Sequence, residues 1–187
     1  SIFVLVHGAY HGGWCWRDTA TVLLAQGRTV YCPSLTGLGD RVHLASPEVG
    51  LQTHINDIAN LIQWNDLQDV ILVGHSYGGL VIGGVADALA DKIRALVFVD
   101  ALLPEDGRSA MDYQTAERAE YLRARAHKHD GWRLPPISAV VYGVDDPEKA
   151  QWVDGKCVAH PLATFEDAQK LTGAWQQVAS LSYIRCT

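Results

Sequence analysis

Apolar residues in this chain fall into short runs, separated by segments where they recur at helical spacing. Phe3-Val4-Leu5-Val6, Val70-Ile71-Leu72-Val73 and the stretch Ile93–Val99 are nearly unbroken apolar runs, the pattern of strands buried on both faces. Leu51, Ile55, Ile58 and Ile62 fall on one face of a helix. Arg17–Gln26 reads as a helix stopped by Gly27, and Arg28–Cys32 as a short strand. Pro33–Gly50 is a loop rich in Gly, Ser and Pro, and Gly79–Leu89 is a helix of small and apolar residues. A late strand is expected at Tyr183–Cys186. This alternation predicts an α/β fold, with a mostly parallel sheet and helices on both faces. Ligands in such folds sit outside the carboxyl ends of the strands. His7, Ser76 and Asp100 each follow such an end, so one argument brings them to the same side.

Residues from about Pro104 to Phe165 break the repeat. They hold a charged helical stretch, the Pro135-Pro136 turn and Asp145-Asp146-Pro147. An insertion over about 104–165, capping the active site, is expected within one domain spanning 1–187. Trp132, Trp152 and nearby aliphatic residues are candidates to line an apolar pocket there, with packing inside the cap as the alternative.

The chemistry is concentrated in Gly74-His75-Ser76-Tyr77-Gly78, a G-x-S-x-G pattern with a strand before it and a helix after it. That context makes it a nucleophile elbow. The tight turn strains the serine backbone and presents its hydroxyl above the sheet. The helix N-terminus beneath it favours developing negative charge. A second motif, His7-Gly8-Ala9-Tyr10-His11-Gly12-Gly13, follows the first strand. A serine nucleophile needs N–H donors for its tetrahedral oxyanion. In this architecture one donor follows the serine, here Tyr77, and the other comes from the loop after an early strand, here Ala9. His7 and His11 read as packed, hydrogen-bonded histidines rather than catalytic ones.

Composition narrows the partners. The chain has 187 residues, 48% of them hydrophobic, and a net charge of -6. That charge argues against nucleic acid and anionic membranes, and no apolar stretch is long enough to span a bilayer. The chain opens on a strand without a signal-peptide pattern, which predicts a cytoplasmic protein if residue 1 lies near the natural start. Cys15, Cys32, Cys157 and Cys186 lack metal-ligand spacing and read as reduced thiols. His127-Lys128-His129-Asp130 reads as a solvated helix end, and Gly37-Leu38-Gly39 lacks the third glycine of a dinucleotide turn. No metal or cofactor is expected.

On Phe3–Ala9, Gly12-Gly13-Trp14-Cys15-Trp16, Leu35–Arg41, Gly74–Gly79, Val99–Gly107 and Ser182–Thr187 the chain resembles the α/β-hydrolase superfamily. Within it, the chain is similar to the branch of plant methylesterases, hydroxynitrile lyases and bacterial esterase-like proteins. The resemblance implies the α/β-hydrolase fold with an inserted cap and a serine-dependent carboxylesterase acting on a small or medium ester through an acyl-enzyme. Hydroxynitrile lyases of this branch carry threonine where Gly8 stands, so Gly8 favours the esterase over the carbon–carbon lyase. A non-catalytic ligand-binding protein of hydrolase ancestry is the other alternative. A homodimer through cap or edge surfaces is compatible with either.

A serine of this kind needs a histidine base and an acid to orient it, in the chain order Ser, acid, His. The histidines after Ser76 are His127, His129 and His160, all inside the expected cap. Three explanations stay open: a C-terminal segment of the fold, with a last strand and helix, is missing; the protein is a degenerate hydrolase; or His160 is an unusual base. Asp100 is the candidate acid, with an acid beyond Thr187 as its alternative.

Overall fold

A computed structural model of the chain describes residues 1–186. Five strands form the main sheet: β1 (Ile2–Val6), β2 (Thr29–Tyr31), β3 (Val70–His75), β4 (Ile93–Val99) and, numbered last in the chain, β7 (Ser180–Ile184). They lie in the order β2-β1-β3-β4-β7, and every pairing is parallel. The expected strands are all present; the late one begins earlier and ends earlier than the sequence suggests. The order reverses direction at β1, because β2 leaves on one side of it and β3 returns on the other. That reversal opens a crevice beyond the ends of β1 and β3.

Helices α1 (Arg17–Ala25), α2 (Leu51–Trp64) and α3 (Gly78–Ala88) flank the sheet. The stripe read from the sequence is the buried face of α2, where Leu51, Ile55, Ile58 and Ile62 pack into the core. His54 shares that buried face, and sequence periodicity gave no reason to single it out.

Segment 104–165 contains α4 (Ala116–His129), α5 (Pro147–Asp154) and the start of α6 (Ala163–Glu166). It also holds a two-stranded antiparallel pair, β5 (Arg133–Leu134) with β6 (His160–Pro161). His127 and His129 do lie in the last turn of α4. No helix among the described residues is long and apolar enough to cross a membrane.

The glycines of α3 determine how deeply the helix sits. A Cβ on Gly78 would stand 2.8 Å from the His7 carbonyl oxygen and 2.9 Å from that of Val6. One on Gly79 would overlap the Leu102 carbonyl oxygen, just past β4. The first turn of α3 is therefore wedged between the ends of β1 and β4. Gly79→Ala should lower stability by at least about 1–3 kcal/mol, since the neighbour is rigid backbone. Urea unfolding checks this as a lower midpoint with an unchanged slope.

Candidate functional site

Ser76 directly follows β3 with φ at +52°, in the left-handed region, and Asp100 directly follows β4 with φ at +42°. Such positions are strained for residues with side chains and persist only where the surroundings over-determine them. The Ser76 N–H donates to the Val99 carbonyl (3.2 Å), and its carbonyl accepts from Gly79 (3.0 Å) and Leu102 (3.1 Å). The Asp100 N–H donates to Ile184 of β7 at 2.8 Å. The serine thus ties together β4, the loop after it and the start of α3. A Cβ on Gly8 would stand 2.9 Å from His75 Nδ1 and 3.1 Å from Ser76 Cβ, so a bare backbone there lets the loop after β1 lie against the elbow.

Neither the Ala9 nor the Tyr77 N–H is paired within the described residues. Imidazoles hold the peptides around Ala9 and the side chain of Tyr77. His7 Nδ1–H donates to the Gly8 carbonyl (2.8 Å), while its Nε2 accepts from Leu35 N–H (3.0 Å). The peptide is planar and trans, so the Ala9 N–H points the opposite way from that carbonyl. His11 Nδ1 donates to the Ala9 carbonyl at 2.7 Å, and the Tyr10 N–H donates to His160 Nδ1 at 3.2 Å. Three histidines therefore fix the two peptides on either side of Ala9, and Tyr10, just after them, has φ at +68°. The fourth, His54, holds the other donor's side chain: Tyr77 Oη donates to its Nδ1 (2.9 Å) and its Nε2 donates to the Thr36 carbonyl (2.9 Å). The Tyr77 ring also stacks on Phe165, with centroids 5.5 Å apart and planes 7° from parallel.

Each buried ring acts as donor at one nitrogen and acceptor at the other, which requires the neutral form. Burial enforces it. The His7 pKa is pushed down to about 3 and that of His54 to about 4, chiefly by desolvation. Desolvation also carries His160 well below its ordinary value, with His54 and His7 adding to the effect. His160 has both nitrogens engaged, the second donating to Thr164 Oγ1 at 2.7 Å, so it is a clamp and not a free base.

Two chambers meet at the serine. The larger, about 410 Å³, is bordered by Ala9, Ser76, His75, Asp100, Ile137 and Tyr142, among others. The smaller, about 230 Å³, is bordered by Ala9, Ser76, Tyr77, Leu102, Gln114 and Phe165, among others. The larger lies within the usual volume range of ligand sites. All four residues singled out in the sequence therefore border one connected cleft: Ser76 and Ala9 both chambers, Asp100 the larger and Tyr77 the smaller. Trp132 and Trp152 border neither. Arg133 packs over the Trp132 ring at 4.7 Å, and Trp152 meets Trp14 edge-on at 5.1 Å. The apolar lining comes instead from Ile137, Ala139, Val144 and Val153. Among the described residues, no histidine hydrogen-bonds Ser76 Oγ or the Asp100 carboxylate, and no cluster of three or more ligating side chains could hold a metal ion.

Burial makes fold stability pH-dependent. Below pH 6.5 the unfolded chain takes up protons on His7 and His54 that the folded chain refuses. Stability should therefore fall as pH drops through 6.5, by up to ~1.4 kcal/mol per unit for each histidine. The loss levels off only near the folded values of about 4 and about 3; denaturant titrations across pH 4–7 measure the slope. Tyr77→Phe leaves His54 Nδ1 buried without its donor and should cost about 1–3 kcal/mol at pH 7, read from the urea midpoint.

A family model described as the alpha/beta hydrolase family matches residues 3–187. The carbendazim hydrolyzing esterase of Nocardioides sp. (strain SG-4G) is 45% identical over 191 residues, covering 97% of this chain and 78% of that protein. Methylesterase 2 of Arabidopsis thaliana is 35% identical over 118 residues, covering 57% of this chain and 41% of that protein. An extracellular alpha/beta-hydrolase structure from a Paenibacillus species superposes with a TM-score of 0.89 at 27% identity, covering 98% of this chain and 76% of that one.

Proposed function

The chain belongs to the alpha/beta hydrolase family, and from that premise we propose that it is a serine-dependent ester hydrolase working through an acyl-enzyme. The observation that carries this reading is the convergence of a strained Ser76, two unpaired N–H groups and Asp100 on one cleft. The relatives named as esterases support it.

In the proposed reaction Ser76 Oγ attacks the ester carbonyl carbon. The carbonyl oxygen takes the electron pair and is held by the Ala9 and Tyr77 N–H groups. Removing one such donor typically costs ~10²–10³ in rate. The alcohol leaves with a proton, an ester to Ser76 remains, and water attacks it to release the acid and restore the hydroxyl. A histidine from sequence outside these 187 residues takes and returns the proton, oriented by Asp100. Segment 104–165 acts as the cap that keeps water from the cleft. The four free thiols fit a reducing, cytoplasmic setting, and the exposed Val140 and Val141 give a homodimer an apolar surface. Gly8 leaves no side chain at the position where the lyases of this branch carry threonine, which favours hydrolysis over cyanohydrin cleavage.

In the naturally expressed protein, Ser76→Ala should abolish hydrolysis of p-nitrophenyl and methyl esters, and Asp100→Asn should reduce kcat by about 10²–10⁴. Steady-state ester turnover checks both. Cyanohydrin cleavage without ester turnover would contradict the reading.

A further inference from the structure

The two chambers carry opposite charge. Asp100 borders the larger one only, and Arg118, an exposed residue of α4, borders the smaller one only, together with Ser76 and Gln114. Arg118 has no carboxylate within 4.0 Å among the described residues. Neither does Arg125, two turns further along α4, although Arg123 on the same helix pairs with Glu166 at 2.8 Å. Arg118 and Arg125 bracket the Tyr121 ring, at 5.1 Å and 5.8 Å from its centroid. Arg125 spends its Nη2 on the Pro135 and Pro136 carbonyls (3.1 and 3.2 Å), while its Nη1 is buried with no partner. Both guanidinium charges act on the Tyr10 and Tyr142 hydroxyls, which border the chamber, and oppose the upward push of burial there. A chain with net charge -6 thus places an arginine without a carboxylate partner at the border of the smaller chamber, with Arg125 behind it on the same helix.

We propose that the smaller chamber is an anion-recognising acyl subsite, and that the preferred substrates are esters whose acyl arm ends in a carboxylate, such as monoesters of short dicarboxylic acids. The assignment rests on the esterase reading. The group that protonates the leaving alcohol must stand beside the acid that orients it, and Asp100 borders the larger chamber. The alcohol arm therefore lies there and the acyl arm extends the other way, toward Arg118 and Gln114. A carboxylate on that arm gains a charge-assisted hydrogen bond from the guanidinium, with geometry suited to a bidentate pair. The same carboxylate turned into the larger chamber would meet Asp100 and be repelled, so one charge pair sets both affinity and orientation.

Equilibrium binding to the Ser76→Ala protein separates this from turnover. Monomethyl glutarate and dimethyl glutarate differ in one charge and are compared by titration calorimetry at low salt. The monoanion should bind about five- to tenfold more tightly than the neutral diester. Arg118→Gln should remove that preference while leaving the diester within about twofold, Arg118→Lys should keep most of it, and high salt should weaken it. Equal binding of the two esters, binding of neither, or a preference that survives Arg118→Gln would overturn the proposal. Failure of the esterase reading shows elsewhere, as absence of ester turnover by the unmodified protein, whatever the binding preference.

Discussion

The site depends on how closely three stretches of backbone approach one another at the elbow. Gly74, Gly78 and Gly79 have no room for a Cβ: the first would meet the Gly78 carbonyl oxygen at 2.7 Å, the second the ends of β1, the third the loop after β4. That contact lets α3 begin directly beneath the sheet's switch point and forces the chain through a left-handed turn at Ser76. The strain there, of order 1–3 kcal/mol, is held by three backbone hydrogen bonds to the serine. The elbow serine and the start of the loop after β4 take their positions from these contacts.

The imidazoles extend this rigidity to the donor loops. A neutral imidazole carries one donor and one acceptor on opposite sides of a rigid ring, so it bridges a carbonyl and an N–H that have no other partner. In full burial His7 bridges the Leu35 N–H and the Gly8 carbonyl, His54 the Tyr77 hydroxyl and the Thr36 carbonyl, and His160 the Tyr10 N–H and the Thr164 hydroxyl. Burial makes the neutral form stable and the protonated form costly, and the price is tolerance of acid. A loop fixed at both peptides keeps its N–H groups where an oxyanion would develop and reorganises little when charge appears.

The sheet, the elbow and the loop after β1 were legible because each is encoded locally: an apolar run, a glycine spacing, a turn. Strand Ile93–Val99 was placed to the residue and the run Phe3–Val6 falls one residue short of β1, and the four residues chosen for the site do border one cleft. What stayed hidden depends on contacts distant in sequence. His160 reaches Tyr10 across 150 residues, and no local pattern marks it. His54 sits within an apolar helical stripe whose period is satisfied without it. The two-residue strands β5 and β6 are too short to leave an alternating signature. Trp132 and Trp152, candidates for the lining or for packing, take the packing role, and the nearby aliphatics with Tyr142 line the cleft from short turns and the end of α5. Arg118 looked like one charge in a solvated helix face, and only its place at the border of the smaller chamber sets it apart.

The central claim is that Ser76 is an activated nucleophile. Intact-mass spectrometry of the naturally expressed protein after exposure to a fluorophosphonate tests it most directly. The account predicts a single covalent adduct that maps to Ser76 and is missing from Ser76→Ala. An unmodified mass from a folded protein, or an adduct that persists in Ser76→Ala, would contradict it.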